Sequence, residues 1–277
     1  MGSAMARNLL ERGYRVSVWN IDRNMMEPSV AAGATPFEHL ESMVESVDAT
    51  IAMLWDDAVA REVSLGKIIP AARSGGLIIE ASTLSPEMYE TLAVAAARRN
   101  LHFLACPIIG SVDGARTGAL TLFPGGSSEA FERGRELLSA MGSTIKFTGS
   151  PGASGHLKLA SNCMLAVLAD SLGELLGILG RAGVDRSLAV ETLVYMLERV
   201  ATKRKQLIER DTAPRFSGNA LLKDLRLAEG ARRRLHANAP LMDRASAEFE
   251  RVLGPGAENE DYIAVALALE RTIAASS

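Results

Sequence analysis

Two rhythms divide this sequence, and together they limit the folds open to it. Up to about residue 150, helical and extended patterns alternate, which is the mark of βαβ units and a mostly parallel sheet. From Gly155 onward no strand signal is seen, and helical periodicity with intervening turn residues continues to the end. The expected architecture is an α/β doubly wound parallel sheet over residues 1–152 followed by an all-α domain over 153–277. A chain of 277 residues agrees with two cores rather than one.

In detail, residues 3–12 predict a helix closed by Gly13, and 14–19 a strand. The pattern repeats as helix 24–32 ending at Gly33, strand 49–54, helix 58–69, strand 76–80, helix 86–99 and strand 102–104. Strands at 119–123 and 144–147 flank a helix at 128–140. The first helix of the second domain is expected from about Gly155 to Arg181, with Gly183 as its stop. It is apolar on nearly every face, as suits a helix buried between domains or subunits.

A net charge of -3 and an isoelectric point near 5.9 provide no basic field for nucleic acid. A small-molecule partner is expected instead. The richest apolar segment, 157–179, is interrupted by Lys158, Asn162, Asp170 and Glu174, which predicts a core helix and no membrane span. Cys106 and Cys163 lie in apolar surroundings and are expected to be buried thiols in a reducing, cytoplasmic setting.

The opening stretch, Met1-Gly2-Ser3-Ala4-Met5 through the helix, the Gly13 stop and the strand ending Trp19-Asn20, matches the segment that begins at the third glycine of the G-x-G-x-x-G dinucleotide fingerprint. That fingerprint lets backbone N–H groups meet a pyrophosphate at a helix N-terminus. A Rossmann-type sheet lacking its first strand and first two glycines is thus expected. A truncated or mis-started sequence is the favoured reading, and a chain that manages without that strand is the alternative.

Three further stretches carry a resemblance. Phe103 to Gly126, including Pro107-Ile108-Ile109-Gly110-Ser111 and Gly114, Gly118, Leu120 and Thr121, resembles the substrate-binding signature of the β-hydroxyacid dehydrogenases. That family includes 3-hydroxyisobutyrate dehydrogenase, tartronate semialdehyde reductase and 6-phosphogluconate dehydrogenase. Lys158 with Asn162 is similar to its K-x-x-x-N, and Phe216 with Lys223-Asp224-Leu225 and Leu227-Ala228 to its F…KDLxLA. Ser82-Thr83 with Pro86, and Asp261, fall in the same order.

The resemblance implies an NAD(P)-dependent oxidoreductase acting on a small β-hydroxyacid or its aldehyde or keto acid. It implies Lys158 as acid/base and Asn162 as the amide that orients the substrate hydroxyl. Spacing alone says only that these two share a helical face, and a lysine with its head in solvent and a core amide are the ordinary alternatives. Ile109, Gly110, Ser111 and Lys223 are implied substrate contacts for a carboxylic acid. Gly2, Met5, Asn20, Arg23, Met53, Leu54, Thr83 and Lys223 are implied cofactor contacts; for Thr83 a helix-cap region is an equal alternative.

The chain departs from the family at Ala105-Cys106-Pro107-Ile108-Ile109-Gly110-Ser111, where many members have D-A-P-V-S-G-G. Ile109 removes a hydroxyl donor, and Ser111 is its nearest substitute. Asn20-Ile21-Asp22-Arg23 leans toward NADP, since an acid would take the NAD ribose hydroxyls, with NAD the alternative. Asp56-Asp57 is expected to be a turn or cap, Asp224 structural, no histidine a metal ligand, and Trp19 and Trp55 covers for the sheet edge. Imine reductases share the architecture but usually lack the lysine. A non-catalytic homologue is the third reading. The long apolar helix suggests a homodimer or homotetramer.

Overall fold

The computed structural model describes residues 1–253 and 260–275. In chain order the first half runs α1 (Gly2–Glu11), β1 (Ser17–Val18), α2 (Glu27–Ala31), β2 (Thr35–Pro36), α3 (Leu40–Ser46), β3 (Ala49–Ala52) and α4 (Asp57–Ala60). A π-helical run, Arg61–Ile68, leads into α5 (Ile69–Ala71), β4 (Leu77–Glu80), α6 (Pro86–Ala97), β5 (His102–Ala105) and β6 (Ile108–Ile109). Then come α7 (Val112–Thr117), β7 (Leu120–Leu122), β8 (Gly125–Gly126), α8 (Ser128–Met141) and β9 (Gly142–Ile145). The helical half is α9 (Pro151–Arg181), α10 (Arg186–Ala201), α11 (Arg204–Glu209), α12 (Gly218–Arg234), α13 (Pro240–Val252) and α14 (Ala264–Ala274). Two compact units result, Met1–Cys163 and Met164–Ser277.

In the first unit β3, β4 and β5 pair in parallel, and β8 adds antiparallel to β5. Buried strands with both faces covered show period-two alternation between two cores. Ile78, Phe103 and Ala105 enter one core with Leu92 and Tyr89, while Leu77, Ile79, Leu104 and Cys106 enter the other with Met5, Leu9 and Leu138. β1 and β2 form a separate parallel pair, and β6, β7 and β9 a third small sheet. Among the described residues, β1 and β3 each have an edge without a strand partner.

Several expectations are corrected. The strand expected at 14–19 pairs only over Ser17–Val18, and that expected at 144–147 is Gly142–Ile145. β2, β6 and β8 are two-residue strands, too short to show alternation in sequence. α9 begins at Pro151, because proline suits the first turn of a helix. By length and composition α9 is long and apolar enough to cross a membrane, and none of its most apolar window is buried in the single chain. It is therefore not a core helix of the lone chain. Cys163, on this helix, is exposed, whereas Cys106 is buried and its thiol is pushed up to about 12 by burial, against the Phe123 N–H. Trp19 packs on the core, but Trp55 is 86% exposed and covers no sheet edge.

The second unit packs Leu222, Leu253, Ala264 and Val265 around Phe249 and Leu269. A buried carboxylate knits it together. Asp261 Oδ2 accepts from Lys203 Nζ at 2.6 Å and from the Arg215 and Phe216 N–H groups at 2.9 Å, while Oδ1 accepts from Ile263 N at 3.1 Å. The Lys203 ammonium also lies 4.8 Å from the Tyr262 ring centroid. Burial alone would raise the Asp261 pKa, but Lys203 and the three N–H donors outweigh it and hold it at about 2.

A carboxylate with a depressed pKa stabilises the fold above its ordinary value and loses that contribution as pH falls through the folded one. Asp261→Asn should therefore cost roughly 3–5 kcal/mol near neutral pH by leaving Lys203 buried without a counter-ion, held only by Gln206 Oε1 at 3.0 Å and the Tyr262 ring. Urea unfolding of variant and parent should converge as pH falls from 3.8 toward about 2; a gap independent of pH would contradict the assignment.

Candidate active site

The amine at the heart of the site is held by the start of α9. Gly152 N donates to Glu90 Oε1 at 2.7 Å, and Ser154 Oγ lies 2.7 Å from Thr148 Oγ1. Gly155 meets α6 so closely that a β-carbon would stand 3.0 Å from Pro86 Cα and 3.1 Å from Tyr89. Glycine permits that approach. Three residues on, Lys158 is half-buried, and its Nζ donates to Asn162 Oδ1 at 3.0 Å. The i,i+4 spacing brings the two together as expected. Burial holds the Lys158 amine below the usual lysine range.

The turn at Ile109, Gly110 and Ser111 belongs to the same unit and is exposed. Gly110 has φ +151°, and a β-carbon there would meet Leu120 Cδ2 at 2.6 Å, so only glycine fits without moving that core leucine. Ser111 caps α7, its Oγ accepting from Gly114 N at 3.1 Å. A hydroxyl that accepts in this way keeps its proton for donation. Ile109 presents an apolar surface, 37% exposed, beside it.

The cofactor candidates divide. Gly2 opens α1, and a β-carbon on it would be 3.9 Å from Met53 Cβ, so a helix N-terminus and the end of β3 are neighbours. Such an N-terminus without a side chain fits a phosphate-bearing cofactor. Met53 and Leu54 are half-buried and Thr83 is exposed. Met5 is a correction: its side chain is 3% exposed and packed in the core, so it supports α1 rather than lining an open surface. Asn20 Oδ1 accepts from Asp22 N, and Asp22 caps the next turn through Asn24 N, both at 3.0 Å. Arg23 is exposed and pairs loosely with Glu38 at 3.2 Å. Lys223 belongs to the second unit, is exposed on α12 and pairs with Asp224 at 3.0 Å.

Further carboxylates lie near these loops: Asp56 and Asp57, which the sequence placed in a turn or cap, and Glu80, which it did not single out. Asp56 caps α4 through Val59 N, as expected, but Asp57 accepts from both Ser85 N and Ser85 Oγ and so ties α4 to α6. Glu80 closes the buried β4 with bonds from Ser64 and Ser82. The available signal was a carboxylate directly after Leu77-Ile78-Ile79.

A parallel sheet with a helix N-terminus beside the end of β3, and a half-buried Lys158 bonded to an exposed Asn162, fit one class, the NAD(P)-dependent oxidoreductases. Residues 1–149 match the NAD binding domain of 6-phosphogluconate dehydrogenase, and 152–269 match the family described as NAD-binding of NADP-dependent 3-hydroxyisobutyrate dehydrogenase. The chain belongs to the β-hydroxyacid dehydrogenase family. Among curated relatives, the NAD-dependent L-serine dehydrogenase of Pseudomonas aeruginosa is 29% identical, over 96% of this chain and 93% of that protein. Among solved structures, Mycobacterium tuberculosis 3-hydroxyisobutyrate dehydrogenase with L-serine has a TM-score of 0.66 at 25% identity, covering 97% and 95% of the two chains. An imine reductase from Pseudomonas sp. has a TM-score of 0.83 at 21% identity, covering 97% and 96%, which shows the shared fold. This chain is accordingly an NAD(P)-dependent hydroxyacid dehydrogenase.

Proposed function

We propose that the enzyme interconverts a small β-hydroxyacid and its aldehyde or keto acid with Lys158 as the acid/base, and that NADP is the preferred cofactor. The single observation carrying this reading is the Lys158 amine, half-buried and 3.0 Å from the Asn162 carboxamide oxygen. A bound nicotinamide would supply the hydride chemistry. The Lys158 ammonium gives its proton to the carbonyl oxygen in reduction, and the neutral amine takes the hydroxyl proton in oxidation. Partial burial brings these two forms closer in energy near neutral pH. Asn162 aligns the amine and the reacting oxygen.

Gly2, Met53, Leu54 and Thr83 would hold the cofactor, with Asn20 and Arg23 at its ribose end. Asp22 is engaged as a cap, and Arg23, exposed and held only by an exposed pairing with Glu38 at 3.2 Å, could turn to a 2′-phosphate, which supports NADP. Gly110 and Ser111 would hold the substrate carboxylate, while Ile109 favours a substrate more apolar than a hydroxyisobutyrate. Lys158 also supports the hydroxyacid reading over imine reduction.

A second copy of the chain covers α9 in this reading, and the enzyme works as a homodimer in a reducing cytoplasm. Met164, Leu165 and Val167 on α9, and Val194, Tyr195 and Met196 on α10, are large apolar side chains left exposed in the single chain, and exposed apolar residues in such number favour a partner. Glu174 argues against a bilayer, since it accepts from Leu241 N at 2.9 Å and Met242 N at 3.0 Å at the start of α13. Sedimentation equilibrium should give a dimer or a multiple of it at micromolar concentration; a monomer would contradict this part. Lys158→Ala should cut kcat by ~10²–10⁴ while leaving the Kd for NADPH within about twofold. Equal loss of both would overturn the assigned role.

A further inference from the structure

The first unit contains one buried carboxyl that the reaction above does not use. Glu80, the last residue of β4, is fully buried. An ionisable group there costs several kcal/mol relative to an apolar residue unless its oxygens are well satisfied. Each of its oxygens has a donor. Ser64 Oγ donates to Oε2 at 2.6 Å from the π-helical run, and Ser82 Oγ donates to Oε1, which Ser82 N also approaches at 3.4 Å. Burial raises the pKa of Glu80 against these donors.

Ser82 carries the effect of Glu80 one bond further. A serine hydroxyl has a single proton, and that of Ser82 is given to Glu80. Its lone pairs are then free to accept, and one takes the Leu54 N–H at 2.6 Å. The Ser82 carbonyl accepts from the buried Tyr89 hydroxyl. A chain of bonds thus runs from Ser64 through Glu80 and Ser82 to the backbone just beyond β3. Asp57 and Ser85 make a second tie between the same two loops.

We propose that Glu80 is a positioning residue for the cofactor site, which through Ser82 fixes the backbone of Leu54 and so sets the spacing between the loops at 53–55 and 82–84. This rests on the reading that Met53, Leu54 and Thr83 hold the cofactor. The requirement is for an acceptor directed at Ser82. A glutamine can supply one by turning its oxygen to Ser82 and its amide to Ser64, whereas methionine fills the space and supplies none.

Amide hydrogen exchange at Leu54 and titration with NADPH and NADH test the two links separately. Glu80→Met and Ser82→Ala should speed Leu54 exchange at least about tenfold and raise the cofactor Kd about tenfold, the scale of one buried hydrogen bond. Glu80→Gln and Ser64→Ala should stay within about threefold on both readouts, although Ser64→Ala also removes a bond to Glu80. Should Glu80→Met fail to fold, Glu80→Leu carries the same expectation. Unchanged Leu54 exchange in the apolar variants, or an equal effect of Ser64→Ala, overturns the positioning role. Faster exchange with unchanged Kd overturns its link to the cofactor while leaving the cofactor reading intact. If the parent chain binds neither nucleotide saturably, the cofactor reading itself falls, and this assignment with it.

Discussion

An amine partly withdrawn from water, on a helix that cannot slide, is the constraint around which the active site is built. Among the described residues Lys158 is not paired with a carboxylate; its hydrogen-bond partner is the neutral oxygen of Asn162. With no counter-ion to offset partial desolvation, the charged and neutral forms are drawn together, which is what proton transfer requires. The position is set by the first turn of α9, where the Glu90 carboxylate, the Thr148 hydroxyl and the close Gly155–Pro86 contact fix the register. A shift of one residue would rotate Lys158 by about 100° around the helix.

The loops at the strand ends have a similar logic. The helix N-terminus at Gly2 and the end of β3 are neighbours, and side chains below the surface tie the β3 and β4 loops together. The side chains doing this are buried or capping, while the surfaces left open, Thr83, Ile109 and Ser111, are those with chemistry to offer. In the helical unit Asp261 plays a comparable part. It gathers the 215–216 backbone that precedes α12, the helix carrying Lys223.

How much of this was legible in the sequence depends on the property that each signal measures. β4 and β5 read clearly because strands buried on both faces appear as short continuous apolar runs, Leu77-Ile78-Ile79 and Phe103-Leu104-Ala105, and the Lys158–Asn162 pair because helical spacing alone joins i to i+4. Two-residue strands such as Ile108–Ile109 exist only through their partners across the chain, so no local pattern announces them. The π-helical run places Ser64 under Glu80, a register that a 3.6-residue period does not anticipate. Cys163, Trp55 and α9 went astray for one reason. Apolar composition states that a residue prefers burial, and only the packed chain states whether its own surfaces provide it. Ile109 was legible as a departure from its family because the motif around it is otherwise dense.

Chemical rescue of Lys158→Ala by small primary amines tests the central claim most directly. If the lost function is a proton-transferring amine, added alkylamines should restore turnover in a concentration-dependent way, with rates that follow amine pKa after correction for size. A folded, cofactor-binding Lys158→Ala enzyme that no amine restores, or one restored equally by amines of every pKa, would contradict the account.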